Sequence, residues 1–244
     1  MKSRLDQLLV TRGLSESRAR ARAAIEAGGV TVDGQPAKSA SQQVDDGADL
    51  TSVDAHHWVG RGALKLDHAL TLWAIPLEGR VVLDIGASTG GFTEVCLARG
   101  AARVFAVDVG SGQLHPRVSG DPRVISLEKT DARHLDETLI PQAPSLIVCD
   151  VSFIGLAKVL SVPLGLADLG SDLVTLVKPQ FEAEGPGGAG KKGVVKDPAA
   201  HLAAVASVSH WLGSAGWSVQ ATTVSPIVGG DGNVEFLLWA RKRA

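Results

Sequence analysis

The chain has 244 residues, of which 45% are hydrophobic and 20% charged, and a formal net charge of −2, the balance of an ordinary soluble protein. That charge excludes a uniformly basic nucleic-acid binder, so any RNA contact must come from local patches. The two cysteines, Cys96 and Cys149, lie in apolar segments and read as buried thiols, leaving neither a disulfide framework nor a metal-ligand spacing. Charge begins at once (Lys2, Arg4, Asp6), so no secretory signal is expected. The most apolar stretch, Leu156 to Val177, is broken by Lys158, Pro163, Asp168 and Asp172, which argues against a membrane span and for a cytoplasmic protein.

The first fifty residues have their own pattern. Leu5, Leu8 and Leu9 make the apolar face of a short helix closed by Gly13. Ser15 is the expected N-cap of a second helix, with Glu16 favourable at its positive end. That helix runs through Arg18, Arg20, Arg22 and Ile25 and stops at Gly28-Gly29. Val30-Thr31-Val32 then alternates as a strand before Asp33-Gly34, a tight-turn signal. Any single arginine here could be a solvated surface charge. Together, Arg4-Leu5-Asp6, Gly13-Leu14-x-x-Ser17-Arg18 and Gly29-Val30-x-Val32-x-Gly34 resemble the S4-like RNA-binding domain. The resemblance implies that Arg18 and Arg22, one helical turn apart, face phosphates, with Arg4 and Arg20 as further RNA contacts. The expected organisation is an S4-like domain over 1–55, a linker over 56–60 and a second domain over 61–244. The linker carries His56-His57-Trp58, read as hinge or packing residues because no third metal ligand is near.

The second domain alternates strands (near 81–86, 103–109, 123–129, 146–150 and 172–178) with helical patterns, and ends in two strands, Trp217 to Val224 and Val234 to Arg241. This predicts an α/β fold with a mostly parallel sheet ending in a reversed strand pair. The first strand ends on Asp84 and turns through Gly86-Ala87-Ser88-Thr89-Gly90-Gly91 into a helix at Phe92; the next strand ends on Asp108. Glycines in such a turn let backbone pass close to a ligand. A nicotinamide dinucleotide site shares the second acid, but Gly-x-Gly-x-x-Gly is missing. The order resembles the S-adenosylmethionine (SAM) site of class I methyltransferases. Asp84 then suits the zwitterionic methionine end, Asp108 the ribose hydroxyls and Asp131 the adenine amino group, although Asp131 could equally cap the helix that follows.

The acceptor is read from the carboxyl ends of the parallel strands. No Asn/Asp-Pro-Pro-aromatic motif follows the fourth strand, which ends Cys149-Asp150-Val151-Ser152-Phe153, and Cys149 should point to the face opposite Asp150. Lys178 ends the fifth strand, Glu235 opens the reversed last strand, and Lys65 opens the helix before the first strand. The four would converge beside the methyl donor. A ribose 2′-hydroxyl is too weak an acid to attack unaided, and a desolvated lysine beside a second lysine can serve as its base. The two carboxylates would orient the ammonium groups.

Arg61-Gly62-x-x-Lys65-Leu66, the Gly86–Phe92 turn, Asp150-Val151-Ser152-Phe153-Ile154, Lys178-Pro179-Gln180-Phe181-Glu182 and Gly232-Asn233-Val234-Glu235, after the S4-like start, resemble the TlyA family over nearly the whole chain. The resemblance implies a class I SAM-dependent methyltransferase fold preceded by the S4-like domain, and FtsJ-type 2′-O-methylation of ribosomal RNA by a Lys-Asp-Lys-Glu tetrad. It implies a cytidine target in 23S and, for some members, 16S rRNA; the short termini suggest the 23S-restricted kind. SAM is the implied cofactor, ribosomal RNA or a ribosomal subunit the partner, and a monomer the expected state. The rival expectations are a non-catalytic RNA-binding assembly factor and, because some members are labelled hemolysin, a membrane-active protein. The glycine-rich stretch 184–193, with Lys191 and Lys192, is expected to close over RNA or to be a plain connector.

Overall fold

The structure is a computed structural model that describes residues 2–182, 194–229 and 232–243. The stretch 184–193 lies outside the described residues. The chain divides into two compact units, Met1–Arg61 and Gly62–Ala244, so residues 56–60 fall within the first.

In the first unit, β1 (Lys2–Arg4) leads into α1 (Leu5–Thr11) and α2 (Arg18–Glu26), followed by β2 (Val30–Val32), β3 (Gln35–Pro36), β4 (Gln43–Asp45) and β5 (Leu50–Ser52). β1 pairs antiparallel with β4, and β2 lies between β3 and β5 in a second antiparallel sheet. Leu5, Leu8 and Leu9 pack against Ala21, Ala24, Ile25, Val30, Val44 and Leu50, so both helices bury one face in a common core. The Asp33-Gly34 turn forms with both residues at positive φ, 49° and 75°, as a two-residue hairpin of the right twist requires. The expected cap is corrected. Ser17, not Ser15, is the N-cap of α2: its Oγ accepts the Arg20 amide, whereas Ser15 Oγ donates to the Ser17 carbonyl.

The second unit runs α3 (Gly62–Leu72), β6 (Val81–Ile85), α4 (Gly91–Ala98), β7 (Arg103–Val107), α5 (Pro116–Ser119), β8 (Val124–Leu127), β9 (Leu146–Cys149), α6 (Leu156–Val159), α7 (Pro163–Leu166), β10 (Asp172–Val177), α8 (Pro179–Glu182), α9 (Pro198–Ser214), β11 (Trp217–Val224) and β12 (Phe236–Lys242). Seven strands form one sheet in the order β11-β12-β10-β9-β6-β7-β8. Every residue of β9 and β10 is buried, which explains their unbroken apolar character. β12 runs antiparallel to both β10 and β11. The expected reversed pair is thus one reversed strand, and β11 at the edge shares the direction of the parallel strands. Chain order reverses between β6 and β9, and the crevice beyond the carboxyl ends of those strands is where such sheets bind ligands.

Candidate active site

Beyond β6, the chain must turn sharply to start α4. Gly86 adopts φ +83° and Gly90 φ +93°. A Cβ on Gly86 would lie 2.7 Å from the Asp150 carbonyl oxygen, and one on Gly90 2.8 Å from a Leu114 methyl. Both positions therefore need glycine for space as well as for conformation. The amides of Gly86 and Ala87 donate to the Val107 carbonyl, and Gly90 donates to Ala87. Thr89 accepts the His115 amide through its carbonyl, while Gly91 begins α4. Ser88, at φ +47°, donates its amide to Asp108 Oδ2 (2.8 Å), and Asp108 Oδ1 accepts Gly110 N–H (2.7 Å). Each Asp108 oxygen retains a lone pair for an incoming hydroxyl.

A cavity of about 510 Å³ opens beside this turn, lined by Gly86, Ser88, Asp108, Gln113, Asp131 and Asp150 among others. That is within the range of small-ligand sites. Asp84, in β6, and Phe92, in α4, are both buried and do not line it. Asp84 Oδ2 accepts a 2.6 Å hydrogen bond from Thr93 Oγ1, while its Oδ1 is buried with no partner. Burial pushes the Asp84 carboxyl up to about 7 against the Thr93 bond, and the nearby Asp150 and Asp108 add to the rise. A buried carboxyl oxygen without a partner, two residues before Gly86, fits a ligand bearing an ammonium group. Asp131 is more occupied: it caps the short turn Ala132–His134, and its two oxygens chelate the Arg133 side chain. These bonds hold its carboxyl down at about 2. Its capping role is realised, and an adenine amino group would compete with Arg133.

Across the cavity rim, the four predicted residues meet. Lys65 lies in the first turn of α3, Asp150 one residue past β9, Lys178 one past β10 and Glu235 one before β12. Lys65 Nζ sits 2.6 Å from Glu235 Oε2 and 3.5 Å from Asp150 Oδ2; Lys178 Nζ sits 2.5 Å from Asp150 Oδ1. Asp150 thus bridges both lysines. Lys65, Lys178 and Glu235 are each under 8% exposed, so these pairs are held in a low dielectric and keep fixed geometry. Cys149 points into the core, and burial pushes its thiol up to about 12, which removes it as a nucleophile.

Several contributors escaped the sequence. Ser152 Oγ accepts from Lys178 Nζ at 3.1 Å. Gly229 makes room for Glu235, since a Cβ there would clash with the carboxylate. Phe153, 87% exposed at φ +68°, lines the cavity and tilts against Phe181 with ring centroids 5.3 Å apart. A bulky residue at positive φ is a genuine outlier, and positive φ cannot be seen in a sequence.

In the first unit, Arg4, Arg18 and Arg22 converge on the buried Asp6 carboxylate. Arg20 does not join them. Its side chain is only 11% exposed and is tied to Asp54, Glu16 and the Trp58 carbonyl. The expected RNA contact at Arg20 is therefore corrected to an internal strut. His56 Nδ1 meets the Trp58 carbonyl and His57 packs on the Trp58 ring.

An FtsJ-like methyltransferase family model matches residues 58–242, and an S4-domain model matches residues 3–50. The chain is 48% identical, over 98% of its length and 90% of the relative's, to the 16S/23S rRNA (cytidine-2′-O)-methyltransferase TlyA of Mycobacterium tuberculosis. The chain belongs to the TlyA family. Other members bear a different name: Hemolysin A of Brachyspira hyodysenteriae is 37% identical over 96% of this chain and 98% of its own. The solved candidate hemolysin of Streptococcus thermophilus superposes with a TM-score of 0.76 at 37% identity, covering 99% of this chain and 89% of that one. Among the described residues of this TlyA-family chain, no helix is long and apolar enough to cross a membrane.

Proposed function

We propose that this protein transfers a methyl group from SAM to the 2′-oxygen of a cytidine ribose in ribosomal RNA. The observation that carries the proposal is the continuous link Glu235–Lys65–Asp150–Lys178 beside a glycine-turn cavity. Gly86 and Ser88 would hold the cofactor's backbone-facing side, Asp84 its ammonium end and Asp108 its ribose hydroxyls. When bound, SAM supplies an electrophilic methyl group on a sulfonium.

The chain's own residues do the rest. Lys178, in its amine form, takes the proton from the 2′-hydroxyl onto Nζ, and Asp150 and Ser152 keep that nitrogen in place. Asp150 fixes the distance between the two lysines, and Glu235 anchors Lys65 from the other side. Once Lys178 has taken the proton, two ammonium groups face two carboxylates, so the charge it gains is compensated within the cluster. Positioning of the attacking oxygen supplies much of the acceleration. Phe153 and Phe181 present an aromatic surface at the rim on which an unstacked base can lie. The first unit supplies the RNA contacts through Arg4, Arg18 and Arg22. Action on a ribosomal subunit in the cytoplasm, as a monomer, is the reading consistent with a ribosomal RNA substrate.

The test is a map of 2′-O-methyl marks on 16S and 23S rRNA from cells with the gene, without it, and complemented by it. A cytidine mark that vanishes and returns with the gene supports the proposal. Identical maps in all three strains defeat it.

A further inference from the structure

Three guanidiniums share one carboxylate in the first unit. Asp6, on α1, is 0% exposed, whereas the side chains of Arg4, Arg18 and Arg22 are 34%, 49% and 51% exposed. The acid therefore lies beneath and the cations above it. Arg4 donates through Nε (3.0 Å) and Nη2 (3.2 Å), Arg18 through Nε (3.3 Å) and Nη2 (2.9 Å), and Arg22 through Nε (3.2 Å). A carboxylate has about four lone-pair positions and a guanidinium five N–H donors, so Asp6 is saturated while each arginine keeps donors to spare. Those outer donors meet no other protein acceptor among the described residues. Arg18 also borders an open groove with Gln7 and Thr11 of α1. Hydrogen bonds from Arg4 first, then Arg18 and Arg22, outweigh burial and hold the Asp6 carboxyl well below the usual carboxylate range, so it remains an anion.

We propose that Asp6 is a positioning residue for RNA binding: it gathers Arg4, Arg18 and Arg22 into one preorganised fork for the phosphodiester backbone. This rests on the assignment of these arginines to RNA. The physical case is one of cost. Three free arginines repel one another and must each lose rotamer freedom on binding a phosphate. Held on a buried anion by Nε, and in Arg4 and Arg18 by Nη2 as well, they retain a net double positive charge, with Nη1 of Arg4 and Arg18 and both Nη groups of Arg22 not engaged by Asp6. Lysine could not do this, because one compact ammonium cannot grip Asp6 and fork a phosphate together.

The proposal predicts an effect opposite in sign to simple electrostatics. Asp6→Asn removes a negative charge from a surface that would meet a polyanion, which by charge alone tightens binding. The hub predicts the reverse. Affinity of the full-length protein for purified 30S and 50S subunits, measured across a salt series, should fall about tenfold in Asp6→Asn. Unchanged or tighter binding overturns the proposal. Arg22→Lys keeps the charge and should weaken binding about threefold to fivefold in the wild-type background, but less in Asp6→Asn, because the two losses share one cause. Additive losses would overturn the hub as well. If Asp6→Asn does not fold, as judged by its circular dichroism, Arg22→Lys alone decides, and wild-type affinity counts against the hub. The Arg18→Ala/Arg22→Ala double variant tests the underlying assignment separately. If it binds subunits with wild-type affinity and salt slope, these arginines do not meet RNA. If it weakens binding while Asp6→Asn does not, only the hub fails.

Discussion

Lys178 and Asp84 are both buried ionisable groups, and they answer to different tests. Lys178 is held by Asp150 and Ser152, and it is the base of the proposed proton transfer. Lys178→Ala should reduce methylation of rRNA by about a hundredfold to ten-thousandfold, with calorimetric affinity for S-adenosylhomocysteine within about threefold of wild type, because the lysine is assigned to the acceptor's proton and not to the cofactor. Full activity in that variant would remove Lys178 from the mechanism. Asp84 carries a thermodynamic burden instead. Its carboxyl titrates near 7 in the folded chain and at the ordinary carboxylate value when unfolded. Between those values only the unfolded state ionises, so stability declines as pH rises and levels off above about 7. The full burden is about 4 kcal/mol as an upper bound. Asp84→Asn keeps an acceptor for Thr93 and cannot ionise. Urea midpoints should therefore show it more stable than wild type at pH 8, with little difference near pH 4, while its cofactor affinity falls. An equal stability difference at both pH values would mean that Asp84 is not held protonated.

At the scale of elements, the glycine turn is coupled to the catalytic strand by contact. Gly86 abuts the Asp150 carbonyl, and that backbone cannot retreat without moving the Asp150 side chain away from both lysines. The atoms nearest a Cβ on Gly90 belong to the side chains of Leu114 and Val118, which can give way more easily than backbone. Gly86→Ala should thus lose about 2–4 kcal/mol of stability, from positive φ and the clash together, and most methylation; Gly90→Ala should lose less of both. Comparable losses in thermal denaturation and in methyl transfer would show that the turn tolerates a Cβ equally at both positions. The same elements show what the sequence could reveal. Apolar runs ending on Asp84 and Asp108 gave their strands away, because burial on both faces demands continuous hydrophobicity and a ligand edge demands an acid. Lys65, Asp150, Lys178 and Glu235 were legible because topology alone carries strand ends to one edge. Three-dimensional competition was not. Ser17 took the cap expected of Ser15, Arg20 turned inward to Asp54 across 34 residues, and the Thr93 bond to Asp84 depends on how α4 leaves its turn.

The whole molecule divides its work between units with separate cores, the first built on Leu5, Leu9 and Ile25 and the second on the central sheet. Every residue lining the cofactor cavity belongs to the second unit, and every arginine assigned to RNA to the first. Affinity for the cofactor and affinity for the ribosome should therefore be separable. Removing residues 1–55 deletes the Asp6 cluster and leaves the glycine turn and the tetrad intact. The shortened protein should bind S-adenosylhomocysteine within about threefold of wild type, yet bind subunits far more weakly and with a shallower salt dependence, because fewer phosphates are neutralised. Its methylation should fall through a raised KM for RNA rather than a lowered kcat, since the chemistry retains Lys178 and Asp150 while the binding energy that delivers the ribose is gone. A short rRNA fragment offered at high concentration should recover part of the rate. A fall in kcat with unchanged KM would mean that the first unit acts on the chemical step itself, and the division of labour would not hold.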